Sequence, residues 1–174
     1  MSLISIRKIG LDDIYLLQKI SKATFIETFS TQNTAQNMQD YLKNDLAIEK
    51  LETELTSVNS NFYFAEEGDA VLGYMKLNIG DAQTEPLQDD GMEIERIYVL
   101  QQFLGKGIGK LLFEFAMQQG RLWKKTYLWL GVWEENQRAI QFYRMQGMVT
   151  FDKHIFRLGD DEQIDLMMKL PLNP

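Results

Sequence analysis

Tyr98-Val99-Leu100-Gln101-Gln102-Phe103-Leu104-Gly105-Lys106-Gly107-Ile108-Gly109-Lys110, continuing as Leu-Leu-Phe-Glu-Phe-Ala-Met-Gln-Gln-Gly-Arg-Leu to Trp123, is the stretch around which the rest of the chain is organised. It leaves an apolar strand, passes three glycines at alternate positions and becomes an amphipathic helix. Ile108, Leu111, Leu112, Phe115, Ala116 and Leu122 recur at three- and four-residue spacings, the expected inward face of that helix. A glycine turn that opens a helix lets the backbone approach a ligand closely, while the N–H groups of the first helical turn remain free. The helix dipole adds partial positive charge, so an anion, pyrophosphate above all, suits the place. The turn alone is also compatible with a tight bend that binds nothing.

Two other phosphate-binding patterns do not fit. A Walker loop needs Ser or Thr after Gly-Lys, and Gly109-Lys110 is followed by Leu111. A dinucleotide fingerprint needs an acidic residue about twenty positions on, and Tyr127–Val132 holds none. A second constellation follows instead. After the apolar run Tyr127–Trp133 comes Asn136-Gln137-Arg138-Ala139-Ile140-Gln141-Phe142-Tyr143, then Gly147-Met148. Together with the glycine turn, this resembles the acetyl-CoA-binding half of the GNAT superfamily of N-acetyltransferases. The resemblance implies pyrophosphate binding by Leu104, Gly105, Lys106, Gly107, Ile108, Gly109 and Lys110. It further implies cofactor contacts from Asn136, Ala139 and Tyr143, and pairing of the pantetheine arm with the main chain of Ile97, Tyr98 and Val99. Leu104 departs from the Arg or Gln usual at its position. The register Gln102-x-x-Gly105-x-Gly107 would restore a polar residue, but puts strand and helix out of step.

Thr24–Phe29, Asn33-Thr34, Asn37-Met38, Asn61–Ala65, Glu93–Val99 and the tail from His154 to Gln163 resemble the PaiA group of bacterial acetyltransferases. That group is associated with acetylating spermidine and spermine, and its members have also been labelled regulators. The resemblance implies an α/β (α+β) fold over residues 1–174 as one domain. Its sheet would be mixed, mainly antiparallel and of about seven strands, with helices on both faces.

The 174 residues include 45 per cent apolar residues, no cysteine and one histidine. The composition is globular, a zinc site is not expected, and lack of cysteine fits a cytoplasmic protein. No apolar run is long enough for a membrane span, and the N-terminus lacks a signal-peptide core. Residues 101–150 hold seven Lys or Arg against three Glu, a balance of +4 in a chain of net −7; the remaining 124 residues carry −11. A ligand with phosphates at one end and a cationic partner at the other would suit that division, although helices also vary in surface charge. Acidity overall argues against nucleic acid, membrane is not expected, and a homodimer remains open.

Strands are expected over Ser2–Ile9, Phe62–Ala65, Val71–Leu77, Met92–Leu100, Met148–Arg157 and Gln163–Leu170, besides the Tyr127 strand. Asp12 should cap a helix reaching Phe29, with helices also over Thr34–Leu46 and Ile48–Leu55. Gly80–Gly91, with Asp81, Glu85, Asp89 and Asp90, reads as an acidic loop.

Acetyl transfer to an amine needs a proton acceptor and a proton donor for the departing thiolate. Glu93 and Glu95, two apart on a strand, share a face unless a bulge intervenes, and either could take the proton or simply pair with Arg96. By resemblance, Tyr143 donates to the thiolate; otherwise it packs its ring. Asn136 could equally serve as a helix cap. Phe25, Glu27 and Phe29 offer aromatic faces and a carboxylate to a cationic acceptor, and His154 joins them from the tail, although core packing would also explain the rings. The expected activity is acetyl-CoA-dependent acetylation of a primary amine, a polyamine first. A protein N-terminus, lysine or other small amine comes next, and a regulatory protein that merely senses CoA is the rival of another class.

Overall fold

The computed structural model describes residues 3–87 and 90–173. In chain order it contains β1 (Ile4–Lys8), α1 (Ile14–Phe29), α2 (Ala35–Asn44), α3 (Ile48–Thr56), β2 (Ser60–Glu67), β3 (Ala70–Asn78) and β4 (Gly91–Val99). Then come α4 (Ile108–Leu122), β5 (Tyr127–Trp133), α5 (Gln137–Met145), β6 (Val149–Leu158) and β7 (Asp161–Pro171). The expected elements all form; Ser2 of the first strand and Asp89 of the acidic loop lie outside the described residues.

One seven-stranded sheet runs in the order β1-β2-β3-β4-β5-β7-β6. Every neighbouring pair is antiparallel except β4 and β5, which are parallel. That parallel pair is short: Gly91 faces Tyr127, Met92 faces Leu128 and Glu93 faces Trp129, and the register goes no further. From Ile94 onward β4 stays with β3, while from Leu130 onward β5 stays with β7. The sheet therefore parts in its middle, leaving the facing main-chain groups of two strands without each other.

Helices cover both faces. Leu112, Phe113 and Ala116 of α4 and Ile140 of α5 pack with Met92, Ile94, Leu128 and Leu130 on one face. Leu17 and Ile20 of α1 and Leu51 of α3 pack with Phe62, Phe64 and Tyr74 on the other. Two expectations shift. Asp13, not Asp12, stands at the start of α1, after a 3-10 turn over Leu11–Asp13; its carboxylate accepts from the Gly10 N–H at 3.1 Å and pairs with Arg7 at 3.0 Å. Leu122 is 71% exposed, and Phe113 is buried instead. The last turn of α4 closes on the core through Gly120, where a Cβ would stand 2.5 Å from a Leu172 methyl, and that contact turns Leu122 outward.

Candidate active site

The glycine turn ends with Gly105 at φ +79° and Gly107 at φ +80°, both left-handed, which a residue with a Cβ adopts with strain. Leu104 before them is extended and partly exposed. Helix α4 closes its first main-chain bond from the Leu111 N–H to the Gly107 carbonyl, 3.0 Å. The N–H groups of Ile108, Gly109 and Lys110 thus precede the helical ladder and are free to meet an anion. Gly109 has ordinary helical backbone, and a Cβ there would meet only the Phe142 ring, at 3.9 Å. Its lack of a side chain leaves open space in front of the turn. Lys106 lies over the Phe103 ring at 5.1 Å, and Lys110 is 3.7 Å from Glu114 on the helix surface.

A cleft of about 870 Å³ runs from this turn into the parting of β4 and β5. Ile97, Tyr98, Val99, Leu104, Gly105, Gly107, Ile108, Gly109, Lys110, Asn136, Ala139 and Tyr143 all border it. The structure thus brings the expected cofactor residues together, apart from Lys106 at its margin. Asn136 caps α5, its Oδ1 accepting from the Ala139 N–H at 3.2 Å. Tyr143 is buried between Phe113 and Phe142, with ring centroids 6.2 and 5.4 Å away. Burial pushes its hydroxyl pKa well up, so the proton stays on oxygen at neutral pH.

A bulge does intervene between the two strand carboxylates. Lys76 faces Arg96 and Leu77 faces Ile94, so Glu95 is the extra residue of β4. Glu95 and Arg96 in consequence reach the same charged cluster: Lys76 pairs with Glu95 and, at 3.3 Å, with Glu54, while Arg96 pairs with Glu54 at 2.9 Å. Asn78 donates to both Glu95 (2.7 Å) and Glu93 (3.2 Å). Glu93, 3% exposed, also accepts from the Thr84 hydroxyl and, at 2.8 Å, from the Thr84 N–H. The two carboxyls are driven apart. Burial raises Glu93, with the neighbouring Glu95 charge adding to it against its hydrogen bonds. Burial would raise Glu95 too, but the Arg96 and Lys76 charges outweigh it and hold that group low.

Lys76 and Arg96 are 5% and 9% exposed in this cluster. Removing one member of a buried set leaves the others uncompensated, typically at a cost of about 3–5 kcal/mol. Lys76→Met is expected to lower stability by that amount in denaturant unfolding; an unmoved midpoint would show that water already screens the cluster.

On the α1–α2 side the cleft becomes a box of rings. Phe25 stacks on Tyr41 with centroids 4.1 Å apart, and Phe29 lies 5.4 Å from Trp133 and 6.4 Å from Phe156. Phe25 and Phe29 are therefore both core residues and walls of the cleft. Glu27 is at the rim and accepts from the Gln101 N–H at 2.9 Å, which ties α1 to the segment after β4. His154 also lines the cleft, its Nε2 3.7 Å from Glu85. Two side-chain bonds tie the α1–α2 region to the β6–β7 hairpin: Asn37 donates to Asp160 and Gln163 donates to Asn33, each at 2.8 Å. Tyr41, Trp133, Phe156 and Asp165 were not singled out in the sequence, although all line the cleft. Asp165 had a signal: it is a carboxylate in the middle of a strand, where such residues are depleted.

The acetyltransferase (GNAT) family pattern matches residues 17–148. An uncharacterised N-acetyltransferase of the pepI 3′ region in Lactobacillus delbrueckii subsp. lactis is 44% identical over 153 residues, 88% of each chain. An uncharacterised N-acetyltransferase of Mycobacterium tuberculosis is 26% identical over 133 residues, 76% of this chain and 81% of that one. Among solved structures, the PaiA N-acetyltransferase of Thermoplasma acidophilum in complex with coenzyme A superposes with a TM-score of 0.80 at 20% identity, covering 97% of this chain and 99% of that one. The yncA acetyltransferase of Salmonella typhimurium with acetyl-CoA gives 0.69 at 19% identity, covering 99% and 96%. At such identities these two likenesses speak for the fold. The family match covers most of the chain, and the Lactobacillus relative is 44% identical over 88% of it: the chain belongs to the acetyltransferase (GNAT) family, and its cosubstrate is acetyl-CoA.

Proposed function

We propose that this protein transfers the acetyl group of acetyl-CoA to a primary amine, a polyamine such as spermidine or spermine first, by direct attack with both substrates bound. The observation that carries this reading is the ring-walled, carboxylate-bearing chamber that opens onto the parting of β4 and β5. Aromatic faces and carboxylates together suit an alkylammonium group, which is cationic at one atom and apolar along its chain. The cytoplasm, where acetyl-CoA and polyamines are both held, is the setting this implies, with the chain acting as one domain.

In this reading each group has one task. The free N–H groups of Ile108, Gly109 and Lys110 hold the pyrophosphate, and Asn136 and Ala139 flank the cofactor from α5. The main chain of Ile97, Tyr98 and Val99 pairs with the pantetheine arm as an added strand would. Acetyl-CoA supplies the activated acyl carbon. Glu93 is the proton acceptor of the two β4 carboxylates, because burial raises its basicity while Glu95 is committed to Lys76 and Arg96. Glu95 instead fixes the bulge. Tyr143 gives its proton to the departing sulfur.

Mixing the protein with acetyl-CoA and spermidine, and titrating free thiol, tests the reading. Thiol release is expected with spermidine and with smaller alkylamines. Release only with peptides bearing a free N-terminus or lysine would move the acceptor to a protein amine, and no release with any amine would leave a CoA-sensing regulator.

A further inference from the structure

Five carboxylates line the cleft: Glu27, Glu93, Glu95, Glu135 and Asp165. Glu93 and Glu95 are held by Thr84, Asn78, Lys76 and Arg96, and Glu27 accepts from Gln101. Glu135 is exposed in the turn before α5. Asp165 is different. It is not exposed, yet among the described residues no hydrogen bond or ion pair reaches its carboxylate.

Its position is specific. Asp165 on β7 faces Trp133 on β5 and His154 on β6. Its Oδ2 would lie 3.4 Å from a Cβ on Gly131, ordinary contact distance, so the carboxylate rests against the β5 backbone. Gly131 stands two residues beyond Trp129, the last residue of β5 that pairs with β4. The carboxylate thus sits beside the parting of the strands and lines the cleft together with Trp133 and Phe156. The carboxylate is partly buried, lines the cleft and meets no donor among the described residues within hydrogen-bond reach, so a cation at that point would gain a charge-assisted bond. The flanking rings of Trp133 and Phe156 favour the same sign of charge.

We infer that Asp165 is the seat of the acceptor's reacting nitrogen: the ammonium group rests on this carboxylate before acetylation. This rests on the amine acetyltransferase reading above and narrows it. The acceptor is an amine that arrives charged, and its alkyl chain extends into the ring box toward α1 and α2. A neutral arylamine or an alcohol can give Asp165 only an uncharged hydrogen bond, the weaker kind. Because the held nitrogen is the one that reacts, a monoamine needs Asp165 as much as a polyamine does.

The experiment compares wild type with Asp165→Asn, using n-butylamine and spermidine as acceptors. The variant is expected to raise the KM for both amines by about tenfold or more, the usual weight of a charge-assisted hydrogen bond, with the KM for acetyl-CoA unchanged. Asp165→Ser, which also fits the space, should behave alike. The pH dependence gives a readout that mere packing would not move. Burial lifts the Asp165 pKa to about 6, with His154 opposing the rise. Below that pH the group is neutral, so the wild-type amine KM should climb as pH falls through about 6, and the climb should be absent in Asp165→Asn. His154 on β6, Glu85 beside it and Glu93 on β4 also face this region, so the climb must survive His154→Gln. Turnover by wild type with unchanged amine KM in Asp165→Asn, or a loss confined to spermidine, would overturn the assignment alone. Absence of turnover with any amine would overturn the amine reading itself.

Discussion

Tyr143→Phe is expected to lower kcat by about 10²-fold or more while leaving the KM for acetyl-CoA nearly unchanged, within the range that general acid catalysis supplies. The substitution keeps the ring between Phe113 and Phe142 and removes only the oxygen, so the core around α5 should be undisturbed. The structure sharpens the expectation. Burial raises the Tyr143 pKa, so the hydroxyl keeps its proton at neutral pH. A thiolate leaving beside it has no other buried O–H on α5 to draw on. The measurement is steady-state turnover with a good amine acceptor, alongside unfolding to show that the variant is intact. A variant running at the full rate would return Tyr143 to a packing role.

Gly109→Val should abolish acetyl-CoA binding in the working range. If the side chain displaces the phosphates from two of the three free N–H groups, two charge-assisted bonds at about 1.5 kcal/mol each are lost, roughly 10²-fold in affinity. This position is a cleaner probe than Gly107. Gly107 sits at φ +80°, so valine there would strain the backbone whether or not a ligand binds. Gly109 is helical, and a Cβ there would make an ordinary contact with the Phe142 ring at 3.9 Å. The free protein can accept the side chain, and any loss then belongs to the ligand. Calorimetric titration checks it; a folded Gly109→Val variant with undiminished affinity would remove the pyrophosphate from this turn.

The cofactor side was legible in the sequence because it is local. Gly105, Gly107, Gly109 and the start of α4 are adjacent in the chain, and Asn136, Ala139 and Tyr143 lie at one short helix, so short stretches of sequence hold each group together, and the family resemblance implied the role expected of them. The ring-walled side of the cleft is assembled from distant pieces. Phe25, Tyr41, Trp133, Phe156 and Asp165 come from α1, α2, β5, β6 and β7, and no periodicity connects them. Phe25 and Phe29 could be named only through the family resemblance. The bulge at Glu95 was foreseen as a condition, but its placement depends on how β3 pairs with β4, which the β4 sequence does not contain. The outward turn of Leu122 likewise depends on Leu172, fifty residues on, which closes against Gly120.

The order of strands β5-β7-β6 has a consequence for how the chain is made. β5 keeps only three residue pairs with β4, and its other neighbour is β7, which leaves the ribosome after β6. Until residues 161–171 emerge, β5 is a nearly unsupported edge carrying Trp129, Leu130 and Val132, the kind of apolar edge that invites pairing with other chains. The β4 wall of the cleft is braced early by β3, whereas the β5 wall is completed late, by one segment that inserts between strands already made. Such an insertion joins contacts far apart in sequence, which slows folding relative to a chain that adds each strand at its edge.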